Sequence, residues 1–124
     1  MTLHLQSFGY RFGIPLESDM VMDVRFLPNP HFVPELKKFT GLDEGVRDFV
    51  LAKQDTKVFV EKFTDMLEFL LPQYRREGKS YLTISIGCTG GRHRSVVIVE
   101  ALREFFTGRN IKIKITHRDA EKGA

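Results

Sequence analysis

At 124 residues, 42% apolar and 28% charged, the chain has the length and composition of one ordinary globular domain and is too short for two separate cores. No apolar run approaches the ~20 residues that span a bilayer, and the opening "MTLHLQSFGY" lacks the basic region and long apolar core of a signal peptide, so a cytoplasmic setting is expected. A net charge of +3 is too mild to demand nucleic acid, and a single cysteine excludes an internal disulfide and a cysteine-based zinc site; neither metal nor cofactor is expected.

Taken in chain order, "LHLQSF" alternates and predicts a short strand ending at Gly9. "FGYRFGIP" interleaves aromatics with glycines and reads as an ordered loop. "MVMDVRFL" predicts a second strand, with Met20, Met22, Val24 and Phe26 on one face and Val21, Asp23 and Arg25 on the other. The prolines of "PNPHFVP" rule out regular structure there. Asp43 is placed to cap a short helix to about Leu51, with Val46, Phe49 and Val50 buried. Asp55 opens a longer helix whose Phe59, Phe63, Met66, Leu67 and Leu70 recur at helical spacing, and Pro72 is expected to end it. "SYLTISI" gives a third strand. Val96, Val97, Val99, Leu102, Phe105 and Phe106 mark a buried helix closed by Gly108, and "IKIKI" gives a last strand that could lie at an edge or meet a partner.

The order β-β-α-α-β-α-β predicts a single α/β domain, a small mixed or parallel sheet flanked by helices. Such sheets bind ligands beyond the carboxyl ends of their strands. That rule selects "SIGCTGGRHRS", residues 85–95, together with Asp23 and Arg25 at the end of the second strand.

The glycine loop concentrates the requirements of anion binding. Gly90 and Gly91 allow a tight turn and close backbone approach, and N–H groups from Thr89 onward can converge into a nest. A helix starting near Arg92 adds unpaired donors and a positive dipole end. Arg94 offers a bidentate fork, His93 a further donor, and Thr89 and Ser95 hydroxyls. It is not a Walker A loop, because no Lys stands in it. Cys88, separated by five residues from Arg94 and Ser95, does have the spacing of cysteine-dependent phosphatases, and a thiol at a helix N-terminus is a nucleophile in the making. Against that, Gly87 stands where those enzymes usually carry His, and Asp23, Asp43 and Asp119 are general-acid candidates without a recognisable acid loop. Asp23 can equally pair with Arg25 or receive the hydroxyls of a sugar-like ligand. His31, in the proline-rich loop, is placed to close over the same site, while His4 and His117 read as incidental.

The last third of the chain leans basic: Arg92, Arg94, Arg103, Arg109, Lys112, Lys114, Arg118 and Lys122 face Glu100, Glu104, Asp119 and Glu121. Of these, Arg109, Lys112, Lys114 and Arg118 could make phosphate contacts to RNA without reading sequence.

Together, "SFGYRFGIP", "DVRFLPNPHF", "TGLDEGVRDFV", "SYLTISIGCTGGRHRSV" and the closing "HRD" resemble the C-terminal domain of the RapZ/YvcJ family over nearly the whole chain. The resemblance implies a domain that senses glucosamine-6-phosphate, binds small regulatory RNA and presents it to an RNase. It places Asp23, Arg25 and His31 with Cys88 to Arg94 around one anion or sugar-phosphate pocket. It also implies self-assembly, and a P-loop nucleotide domain that this sequence does not contain. The tail "HRDAEKGA" departs from the compact Lys/Arg ending of enterobacterial members. Three functions stay open on this reading. They are a regulatory binding domain for a small phosphorylated ligand or inorganic anion, a cysteine-dependent phosphatase, and an RNA-binding adaptor with the pocket secondary.

Overall fold

The computed structural model describes residues 1–122. Strands β1 (Thr2–Gly9), β2 (Met20–Asp23), β3 (Tyr81–Cys88) and β4 (Lys112–His117) join in the order β2-β3-β1-β4, every pairing parallel. β3 and β4 belong to one crossover but are not neighbours: β1, the first strand in chain order, lies between them. Helices α1 (Glu44–Leu51), α2 (Gln54–Arg76) and α3 (Arg94–Phe106) complete the domain.

The alternation in the strands decides where the helices go. Leu3, Leu5, Leu82, Ile84 and Ile86 share one sheet face and pack against Ile98, Val99, Leu102 and Phe106 of α3 and Phe63, Leu67 and Leu71 of α2. Each such side chain contributes about 1.5–3 kcal/mol by leaving water. α3 is enclosed nearly all round, Val96 to Val99 being fully buried, because Val97 turns away from the sheet to meet Val46 and Val50 of α1. The opposite sheet face carries His4, Gln6, Thr83 and Ser85. It is satisfied by polar contacts: His4 bridges Thr83 and Thr116, and Ser18 bonds Ser85 at 2.6 Å.

Two expected boundaries differ. β2 stops at Asp23, because the Asp23 carboxylate accepts the Arg25 N–H at 2.8 Å and turns the chain out of the strand. Phe26 is consequently 58% exposed and rests edge-on against Phe59, while Val24 stays buried. Pro72 does not end α2, which runs one turn further to Arg76. Pro72 and Glu68 are both exposed, so water can satisfy the carbonyl that the proline leaves without a donor. The stripe of α2 also shifts: Met66 is exposed and Leu71 takes the buried place. Asp43 precedes α1 as expected, but its carboxylate bonds Thr40 instead of the helix's free N–H groups.

Candidate functional site

The chain leaves β3 at Cys88, turns through Thr89 to His93 and enters α3 at Arg94. The two glycines of this turn do different work. Gly91 has φ +77°, and a methyl group there would lie 2.5 Å from the Gly9 nitrogen and 2.9 Å from the Asp119 Cβ. Gly91 therefore lets the turn lie directly on the end of β1. A methyl on Gly90 would meet nothing within 4 Å, and Gly90 lines an open cavity of about 800 Å³.

The loop from β3 to α3 forms one side of that cavity through Cys88, Thr89, Gly90, Arg92, His93 and Arg94. Arg11, from the turn after β1, and a segment running from Asn29 to Lys38 form the rest. The charge of the lining is one-sided: Arg11, Lys37, Lys38, Arg92 and Arg94 are cationic, and among the described residues no Asp or Glu lines it. Phe32 adds a ring that is 80% exposed.

Two side chains at the bottom carry unmet hydrogen-bonding capacity. His93 is 6% exposed, and although no bond of its Nε2 meets full hydrogen-bond geometry, the Phe39 and Lys37 backbone lies close enough to favour the protonated ring. Burial is the main cause that holds its pKa below the ordinary value, with Arg92 adding to it, so the ring is neutral at pH 7. Arg94 is 5% exposed and its Nε has no partner. Its Nη1 donates to the carbonyls of Arg25 (2.7 Å) and Leu27 (3.1 Å), and its Nη2 reaches Thr89 Oγ1 at 3.5 Å. These bonds fix the guanidinium plane against the turn that follows β2. Desolvation lowers Arg94's pKa, opposed by Cys88 and Asp23, but an arginine stays charged throughout. The first turn of α3 contains no acidic residue, so the positive end of its dipole is uncompensated by the chain itself.

His31, Cys88, Thr89, Gly90, Arg92, His93 and Arg94 are thus brought together around one space. Ser95 is fully buried behind it, accepting from Cys88 Sγ at 3.2 Å. Asp23 and Arg25 stand beside the cavity, outside its lining. They form a bidentate pair (2.7 and 3.0 Å), with the guanidinium 3.9 Å above the Tyr10 ring. That pairing, led by the Arg25 hydrogen bonds, holds the Asp23 carboxyl below the usual range. Asp119 is fully buried and accepts from the Gly9 N–H, Arg118 and Lys122, a clamp on the end of β1. Neither Asp119 nor Asp43 touches the cavity.

Of the basic residues considered for RNA, Arg109 bonds Glu68 at 2.7 Å and Arg118 is held by Asp119 and the Gly13 carbonyl. Lys112 and Lys114 are exposed, without an ion pair among the described residues. Sequence reasoning missed Arg11, Asn29, Phe32, Pro34, Lys37 and Lys38. Arg11 was recoverable, since β1 also ends at this edge of the sheet. No local pattern marks Lys37 and Lys38.

Fold and cavity together define a small parallel α/β domain with a cation-lined pocket at the carboxyl ends of its strands. Residues 1–121 match the model of the RapZ C-terminal domain, and the chain belongs to that family. It is 72% identical over 123 residues to a nucleotide-binding protein of Geobacter sulfurreducens, a match that covers 99% of this chain and 43% of that protein. Similar proteins of Geotalea uraniireducens and Geobacter metallireducens are 69% and 71% identical over the same length and share of each chain. The chain therefore spans less than half the length of these relatives. No described helix is long and apolar enough to cross a membrane.

Proposed function

We propose that this chain is a regulatory binding domain for a small phosphorylated metabolite, a sugar phosphate of the glucosamine-6-phosphate type. The observation that carries the reading is the bottom of the cavity. A helix N-terminus without its own acid meets two buried side chains, His93 and Arg94, each with an unpartnered nitrogen. Buried polar groups are rarely left unpaired, and a phosphoryl oxygen would satisfy both while compensating the dipole. Arg11, Lys37 and Lys38 would meet the remaining charge, and Phe32 one face of the sugar. The name of the relatives refers to nucleotides. We assign that property to the part of those proteins this chain does not span, since no Gly-x4-Gly-Lys-Ser/Thr loop is present here.

Among the described residues no Asp or Glu lines the cavity to protonate a leaving group, which supports binding over turnover. Titration calorimetry with glucosamine-6-phosphate is expected to show binding that weakens more than about tenfold in Arg94→Lys, which loses the guanidinium fork. Parallel assays with p-nitrophenyl phosphate are expected to show no turnover. Robust hydrolysis that disappears in Cys88→Ser would replace the sensor with a cysteine-dependent phosphatase.

A further inference from the structure

Arg92 sits where three parts of the molecule meet. Its Nη2 donates to the Lys38 carbonyl at 2.9 Å, and its Nη1 to the Ala120 carbonyl at 2.8 Å. Its own carbonyl accepts the Gly41 N–H at 2.8 Å. The same side chain lines the cavity, as does Lys38. Ala120 belongs to the arm that follows β4. That arm is anchored by Asp119 and by backbone bonds from Arg118 to Ser7 (3.1 Å) and from Lys122 to Asp119 (3.0 Å). One guanidinium therefore ties the C-terminal arm to the rim of the ligand cavity.

The ties are of a kind that an anion can break. Both acceptors are neutral carbonyls taking one bond each, whereas a phosphoryl group adds its own negative charge and can accept two parallel N–H bonds. A phosphoryl group that engages Nη1 and Nη2 in this way competes with the carbonyls for the N–H groups now directed at them. We propose that an anion in the cavity draws Arg92 away from the Lys38 and Ala120 carbonyls, so that occupancy is signalled outward as release of the 118–122 arm. This mechanism rests on the cavity being an anion site, and it supplies that site with a regulatory output. Linkage then requires that loosening the arm strengthens anion binding by the same factor.

The test uses the 124-residue chain with sulfate and with glucosamine-6-phosphate as probes. Amide chemical shifts at Thr89 and His93 report occupancy, and hydrogen exchange at the Arg118 and Lys122 amides reports the arm. Saturating either probe is expected to accelerate exchange at both amides about tenfold, the scale of losing one hydrogen bond to a charged group. In Arg92→Ala the arm is expected to exchange fast without probe, and saturation to add less than about twofold. Occupancy without acceleration in the wild-type chain overturns the coupling and leaves the anion site standing. So does acceleration that persists undiminished in Arg92→Ala. Absence of binding by both probes removes the anion site itself, and the coupling with it.

Discussion

Helices α1 and α3 begin in opposite ways. α1 is introduced by Asp43 and carries Glu44 in its first turn, so negative charge from the chain already stands at its positive end. α3 is introduced by His93, opens with Arg94 and has no acid in its first turn. The dipoles are alike and the compensation is not. At α1 the sequence completes its own electrostatics; at α3 it does not, and the residues around that end are cationic. An uncompensated end by itself would be a small destabilisation. Together with two buried unpartnered nitrogens, it is what the proposed anion site rests on.

The largest expected effect breaks the turn into α3 and spares α1. Gly91→Ala forces a side chain into positive φ and into the backbone of Gly9, and should cost about 3 kcal/mol or more. Gly45→Ala, inside α1, meets only the end of the Leu36 side chain at 3.2 Å. It should change stability by less than about 1 kcal/mol, in the stabilising direction that helix propensity favours. Urea denaturation measures both.

A middle-sized effect comes from pH. Burial holds the His93 pKa below its ordinary 6.5, so the folded chain resists a proton that the unfolded chain accepts. His93's contribution to stability is therefore complete above that value and is lost as pH falls through 6.5 towards the folded pKa. A bound anion reverses the preference by favouring the imidazolium, which Arg92 and His31 otherwise oppose. Sulfate, whose charge is constant here, should bind up to about tenfold more tightly at pH 5.5 than at pH 7.5. His93→Gln should flatten that dependence. A flat wild-type profile would detach His93 from the anion.

The smallest effect concerns RNA. With Arg109 and Arg118 held in internal pairs, neutralising Lys112 and Lys114 should remove at most the contacts of those two residues. In filter binding this appears as a salt slope reduced by about 2 with affinity changed roughly alike for all sequences. An unchanged slope would exclude β4 as an RNA contact.

The architecture was legible because it depends on periodicity. Alternating Leu and Ile in β1 and β3, and the Val-rich run of α3, fixed element type and order. What escaped was tertiary. Nothing local says that β1 separates β3 from β4, that Pro72 faces water, or that an Asp23–Arg25 turn cuts β2 short. The loop that lines the cavity was legible from composition: glycines, Thr89, His93 and Arg94 between strand and helix. The division of labour within it was not. Gly91 serves packing and Gly90 the cavity, a distinction set by the end of a strand some eighty residues earlier. Lys37 and Lys38 reach the cavity because the Lys38 carbonyl is held by Arg92, and such long-range bonds leave no trace in spacing.

The bond between the Gly9 N–H and the Asp119 carboxylate has a consequence for how the domain is made. β1 is the first strand of the domain in chain order, yet its partners are Tyr81–Cys88 and Lys112–His117, and its clamp comes two residues later still. Leu3, Leu5 and Phe8 have no sheet to enter until Tyr81–Cys88 has been made. Contacts of such sequence separation slow folding and leave an apolar strand unpaired in the meantime. The last of these partners in chain order, Asp119, is therefore the one that holds the end of β1 against the glycine turn.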